Sequence, residues 1–175
     1  MKLGNLLASL LSALFDQGRK PGTGKKRGGG APQTFTESPG QSGASATRDL
    51  TRAEIRDLRI SYSPEIDGEP DPGEIVWTWV PYVENDGRGK DRPVLIIARI
   101  DPRTYAGCYL STTKHRGFVS VGTGGWDSQR RESFLATDRV LRISADGMRR
   151  EGQILAKDRF ARAAEAIVQR HGIRA

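Results

Sequence analysis

Apolar positions along the chain follow two different rhythms. From Glu74 onward they come in short strand-like runs, and the candidates are 74–80, 93–99, 106–112, 117–121, 134–143 and 152–155. Gly122-Thr123-Gly124-Gly125 and Ala145-Asp146-Gly147 supply turn signals between them. The rhythm then changes to a helical one. Phe160, Ala164, Ile167 and Val168 fall on one side of a helix over 158–168, and Gly172 stands at its C-cap position. Many short strands closed by one helix predict a mainly β, α+β fold, a small barrel rather than a doubly wound sheet.

The first seventy residues read differently. In residues 1–17, Leu3, Leu6, Leu7, Leu10, Leu11, Leu14 and Phe15 make an apolar stripe at helical spacing. The run is too short to span a bilayer. Lys2 could serve as the n-region of a signal peptide, but no small-x-small cleavage site follows. Contact with a membrane surface, contact with a partner and docking on its own domain all fit the stripe. Its few cations argue against strong attraction to anionic lipid. Residues 18–50 are rich in Gly, Ser, Thr and Pro and poor in apolar residues, the composition of a disordered linker. Lys25-Lys26-Arg27 within it is either a solvated tether or a source of sequence-independent affinity for RNA. A short helix and a turn-rich acidic lead-in are expected over 51–71, and the barrel domain over 72–175.

Composition narrows the partners. The 175 residues carry a formal net charge of +7 and a pI near 9.9, which favours an anionic partner, nucleic acid or acidic protein. Residues 1–50 hold seven Lys/Arg against three Asp/Glu, so the rest of the chain is only mildly basic. A nucleic-acid groove there has to come from local clustering. The single cysteine, Cys108, excludes an intrachain disulfide framework, fits a reducing cytoplasm and reads as a buried thiol. His115 and His171 lie far apart and form no metal spacing, so neither metal nor cofactor is expected.

The sequence has no Gly-x-Ser-x-Gly elbow, no P-loop and no Gly-x-Gly-x-x-Gly after a strand. What remains for chemistry is Arg, Thr, Lys and backbone amides. RNA cleavage can run on that set, because the ribose 2′-OH is itself the nucleophile. The protein has to orient it and stabilise charge on the phosphorane-like transition state. An arginine fork matches phosphate oxygens, and a threonine hydroxyl can donate to one of them.

Two strand-like runs, Glu74–Val80 and Val94–Ala98, flank a polar glycine-rich loop that ends in Arg92-Pro93. Ser111-Thr112-Thr113-Lys114 closes a later run. Phe134–Ile143, Glu151-Gly152-Gln153-Ile154-Leu155 and the terminal helix follow. In this order the segments resemble the MazF/PemK family of toxin endoribonucleases from toxin–antitoxin pairs, over roughly residues 72–170. The resemblance implies an SH3-like barrel of the MazF/PemK/CcdB type. It implies Arg92 as principal catalytic residue and Thr112 as its partner, with Thr113 in that role if the register is off by one. It also implies metal-independent cleavage of single-stranded RNA to a 2′,3′-cyclic phosphate and a 5′-OH. A homodimer with RNA bound across its interface, and an antitoxin whose acidic or apolar tail fills that groove, are implied as well. Arg88, Lys90, Thr113, Lys114 and Arg116 are the basic and polar candidates for RNA binding, and Tyr82 is the candidate for base stacking. His115 is tempting as a general acid. Trp77 and Trp79 share a strand face and are expected in the core or at a dimer interface. The loop Glu84–Asp91 departs from the family pattern. That leaves a second reading open, a barrel that has lost cleavage and binds RNA, DNA or a partner protein.

Overall fold

The computed structural model describes residues 36–65 and 67–173. The stripe over 1–17 and the linker over 18–35 lie outside them. The elements in chain order are β1 (Arg48–Asp49), α1 (Arg52–Arg56), β2 (Glu74–Pro81), β3 (Gly89–Asp101), β4 (Thr104–Ser111), β5 (Val119–Gly122), β6 (Ser133–Leu135), β7 (Leu141–Ser144), β8 (Arg149–Ile154) and α2 (Lys157–His171). The fold is α+β, mainly antiparallel sheet with a C-terminal helix. The strand order is β1-β7-β4-β3-β2-β8, with β5 and β6 branching from the end of β4. The sheet is open, because among the described residues no ladder joins β1 to β8. The expected closed barrel is therefore an open sheet covered by its helix.

Two of the expected strands are redrawn. β3 begins at Gly89, inside the stretch read as loop, because Gly89–Arg92 pairs with Thr78–Pro81. Arg92 thus sits within a strand, opposite Thr78, rather than at a loop mouth. The single strand expected over 134–143 is broken. Leu135 pairs with Leu110 and Leu141 with Gly107, so six residue steps face only three on β4. The surplus bulges out as residues 136–140. Thr137, whose hydroxyl donates to the Gly117 carbonyl at 2.8 Å, anchors the bulge.

Val94–Ala98 is buried on both faces and feeds two apolar clusters. One holds Leu95, Ile97, Leu110 and Leu135 against Phe160, Ala163 and Ile167 of α2. The other holds Val76, Val80, Ile96, Tyr105, Leu141 and Ile143. Cys108 is buried, and that burial pushes its thiol pKa up. At the C-terminus of α2, Gly172 adopts φ 65°, and its N–H donates to the Val168 carbonyl. Trp77 and Trp79 are half-buried and stand outside both clusters.

Residues 36–50, the C-terminal part of the stretch read as linker, are ordered against this sheet. β1 pairs with β7, and the Trp79 N–H donates to the Pro39 carbonyl at 2.9 Å. The Thr78 hydroxyl, fully buried, donates to the Gly147 carbonyl at 2.6 Å and lies 2.8 Å from the Thr47 hydroxyl. α1 follows with a capping box: Thr51 Oγ1 accepts from the Glu54 N–H, and the Glu54 carboxylate accepts from the Thr51 N–H. Leu50, Ile55 and Leu58 then enter the α2-side core. Low apolar content hid this packing. A few apolar residues, satisfied caps and backbone hydrogen bonds suffice when a preformed sheet supplies the other surface.

Gly40 makes the approach close. Its φ is 79°, and a Cβ there would meet the Thr47 hydroxyl at 2.6 Å and the Gly147 carbonyl at 2.7 Å. Gly40→Ala is expected to cost roughly 2 kcal/mol through backbone strain and overpacking. A chemical melt against the unsubstituted protein reads this directly, and an unchanged midpoint would rule out tight docking of residues 36–50.

Candidate nucleic-acid cleavage site

The ends of β3 and β4 and the loop before β6 enclose a cavity of about 310 Å³. Lys90, Arg92, Thr112, Thr113 and His115 all line it. The strand pairing explains the gathering. Val94 lies opposite Tyr109, so the N-terminal end of β3 and the C-terminal end of β4 run to the same edge of the sheet. There the Thr112-Thr113 pair leaves the ladder, and the Thr113 N–H donates to the Ser111 hydroxyl at 3.1 Å.

Arg92 is half-buried, and its guanidinium lies 5.1 Å from the centre of the Tyr109 ring. Among the described residues it forms no ion pair. An orienting ring with no competing carboxylate leaves the charged fork available to an incoming anion. Tyr109 itself is held as neutral phenol, because burial raises its pKa above the ordinary tyrosine value.

Behind Tyr109 stands Arg139, which the bulge between β6 and β7 presents. Its Nε and Nη2 donate to the two carboxylate oxygens of Asp49 at 2.9 and 2.8 Å, and its Nη1 donates to the Pro81 carbonyl at 3.0 Å. The Asp49 pairing raises the Arg139 pKa further. Its guanidinium lies 6.0 Å from the Tyr109 ring. A second cavity of about 380 Å³ opens here, lined by Tyr82, Arg88, Arg92, Tyr109 and Arg139. Arg92 thus stands between two recesses.

The sequence candidates therefore divide. Lys90, Arg92, Thr112 and Thr113 meet in the first cavity, and Tyr82 and Arg88 meet Arg92 in the second. Lys114 and Arg116 are exposed on the turn that follows and line neither. Arg88 is exposed and paired with Asp86 at 2.8 Å. His115 packs edge-on against Phe118, ring centres 5.0 Å apart.

Sequence reasoning missed several neighbours. Trp126, Asp127 and Arg131 arrive from the segment between β5 and β6 and Ser133 from the start of β6, where Trp126 Nε1 donates to the Ser133 hydroxyl at 3.0 Å. No spacing rule singles out that loop. Asp127 is bound by Arg131, which holds its carboxyl below the usual range, so it stays ionised near neutrality and cannot serve as a proton donor. Trp77 and Asp91 also line the cavity, with Arg149 tying them together. Arg149 donates to Asp91 at 2.9 Å and lies 5.8 Å from the Trp77 ring. Trp77 Nε1 and Asp91 Oδ1 are buried without a hydrogen-bond partner among the described residues. Among those residues no cluster of His, Cys, Asp and Glu could hold a metal ion, and no helix is long and apolar enough to cross a membrane.

Residues 71–170, more than half of the chain, match the PemK-like, MazF-like toxin of type II toxin–antitoxin systems. The chain belongs to that family. The match takes in every strand from β2 to β8 and the lining of both cavities, and it leaves β1, with Asp49, and α1 outside. Solved structures similar to the chain include MazF (Form-I) from Deinococcus radiodurans, 17% identical with TM-score 0.46 over 61% of this chain and 100% of that one. A MazE–MazF complex (Form-II) from the same organism is 15% identical, with TM-score 0.46 over 62% and 100%. An endoribonuclease in complex with its cognate antitoxin from a mycobacterial species is 13% identical, with TM-score 0.46 over 62% and 98%. No curated protein matches the chain. MazF/PemK toxins are endoribonucleases as a family.

Proposed function

We propose that this protein is the toxin of a type II toxin–antitoxin pair and a metal-independent endoribonuclease acting on single-stranded RNA. The observation that carries the reading is the meeting of Arg92 and Thr112 in one cavity, with Arg92 stacked on Tyr109 and unpaired among the described residues. In this reading the ribose 2′-oxygen attacks the adjacent phosphorus and loses its proton. The bond from phosphorus to the 5′-oxygen breaks, and that oxygen gains a proton. The products are a 2′,3′-cyclic phosphate and a 5′-OH. Arg92 stabilises the charge that builds on the phosphoryl oxygens, and the Thr112 hydroxyl donates to one of them. Lys90 and Thr113 hold the phosphate on the near side, and Tyr82 and Arg88 take the neighbouring nucleotide in the second recess. Lys114 and Arg116 meet the strand as it leaves. A homodimer with RNA across its interface, an antitoxin partner and a cytoplasmic location complete the proposal.

Long single-stranded RNA incubated with the protein in EDTA tests it. Defined fragments with 5′-OH ends are expected. Thr112→Ala should cleave about 10- to 100-fold more slowly, the size of one hydrogen bond to a charged group. Equal rates for the two proteins, with Thr113→Ala slowed instead, would move the role to Thr113. No cleavage by folded, antitoxin-free protein would leave a MazF-like module that binds nucleic acid or a partner without cutting.

A further inference from the structure

A second basic recess lies away from Arg92. α1 and the end of α2 border a cavity of about 570 Å³ lined by Arg52, Arg56, Asp138, Arg170 and His171, over a floor of Leu50 and Ile55. Arg52, Arg56 and Arg170 are exposed, and among the described residues none of them forms an ion pair. Arg52 and Arg56 stand four apart on α1, so they are like charges on one face of a short helix. That arrangement destabilises it. The single carboxylate at the rim, Asp138, is outnumbered. His171 is occupied on one side, its Nε2 donating to the Thr137 carbonyl at 2.7 Å.

The exposed Lys114–Gly117 turn lies between this recess and the cleavage site. His115 lines the Arg92 cavity, and the exposed turn Lys114–Gly117 leads away from it. At the far end of that turn, Arg170 Nη1 lies 3.4 Å from the position a Gly117 Cβ would take. Cations without an ion pair among the described residues therefore run from Lys114 and Arg116 through Arg170 to Arg52 and Arg56. The recess has no Phe, Tyr or Trp ring in its lining for a base to stack on. Its exposed groups are guanidinium forks, which match phosphate oxygens.

We propose that this recess is a second, sequence-independent phosphate-backbone site, taking the single strand that leaves the Arg92 cavity over the Lys114–Gly117 turn. It rests on RNA being the substrate. Arg52, Arg56 and His171 lie outside the family match, so the site belongs to this chain's own lead-in and helix end.

The test uses the full chain and 2′-O-methyl oligonucleotides, which lack the nucleophile and report binding whether or not the protein cleaves. One probe has about four nucleotides, enough for the Arg92 cavity alone, and the other about sixteen. The protein should bind the long probe at least tenfold more tightly. An Arg52→Ala, Arg56→Ala, Arg170→Ala triple variant should lose about tenfold on the long probe and stay within about twofold on the short one. Its slope of log affinity against log salt should be shallower by about 2, near 0.7 for each lost phosphate contact. Circular dichroism checks that the variant is folded, and Arg52→Lys, Arg56→Lys with Arg170 retained should restore most of the long-probe affinity. Unchanged affinity and slope in the triple variant would overturn the inference. So would displacement of the long probe by polyglutamate of matched charge as readily as by unlabelled oligonucleotide, which would assign the recess to an acidic polypeptide. Charge-dependent long-probe binding by a protein that never cleaves RNA would remove the ribonuclease reading and keep this site. Failure to bind either probe would remove both.

Discussion

Arg92→Ala is expected to slow RNA cleavage by about a thousandfold while leaving the fold intact. The side chain makes no ion pair among the described residues, so its removal breaks no paired interaction. What is lost is a preorganised charge in a partly dry site. Removing one such donor from a transition-state oxyanion costs about 10²–10³ in rate. A full positive charge placed by the Tyr109 ring puts this case at the upper end. Arg92→Lys should recover only part of the rate, because an ammonium keeps the charge but loses the fork and the stacking plane. Single-turnover cleavage of one defined RNA, with melting curves alongside, separates the outcomes. A rate within threefold of the unsubstituted protein would remove Arg92 from the chemistry.

The largest expected loss of stability comes from Arg150→Ala, at about 3 kcal/mol. Glu74 opens β2 and is only 3% exposed. Arg150 on β8 grips it with Nε at 3.1 Å and Nη2 at 2.8 Å, which makes the pair a polar rivet between the two strands. Without the arginine a buried carboxylate stands alone. Burial already raises the Glu74 pKa above its ordinary value despite Arg150. The folded state therefore binds this proton more tightly than the unfolded state. Its contribution to stability is complete below the ordinary carboxylate pKa and declines as pH rises through the raised one. Glu74→Gln should flatten that decline and, combined with Arg150→Ala, restore much of the loss. Urea melts across pH 4–8 measure both effects. An Arg150→Ala protein as stable as its parent at neutral pH would mean the pair contributes nothing.

Most strand positions and the closing helix were legible because Val94–Ala98 is an unbroken apolar run and Phe160–Val168 carries helical spacing. The meeting of Arg92 with Thr112 was legible only through family resemblance. Residue spacing alone does not say that the start of β3 and the end of β4 reach the same edge. Arg139 and Asp49 were not legible as a pair. Their contact needs a three-residue surplus opposite β4 and a docked residue 90 positions away, and neither leaves a mark in hydrophobic patterning. The ordered residues 36–50 escaped for the converse reason. Composition measures what a segment can bury by itself, and this one borrows the surface of a finished sheet.

The two ends of the open sheet bear on how copies of the chain could meet. On one side the short strand β1 already occupies the outer edge of β7 at Arg142 and Leu141. On the other, β8 presents Arg149, Arg150 and Glu151, and Gly152 at φ 66° turns its backbone out of line. Both rims are thus poor templates for an added strand. Assembly by strand addition at these two rims is therefore disfavoured, which leaves side-chain surfaces as the alternative. The projecting Tyr82–Val83 tip of the β2–β3 loop, with Val83 79% exposed, is such a surface and stands beside the Arg92 recesses.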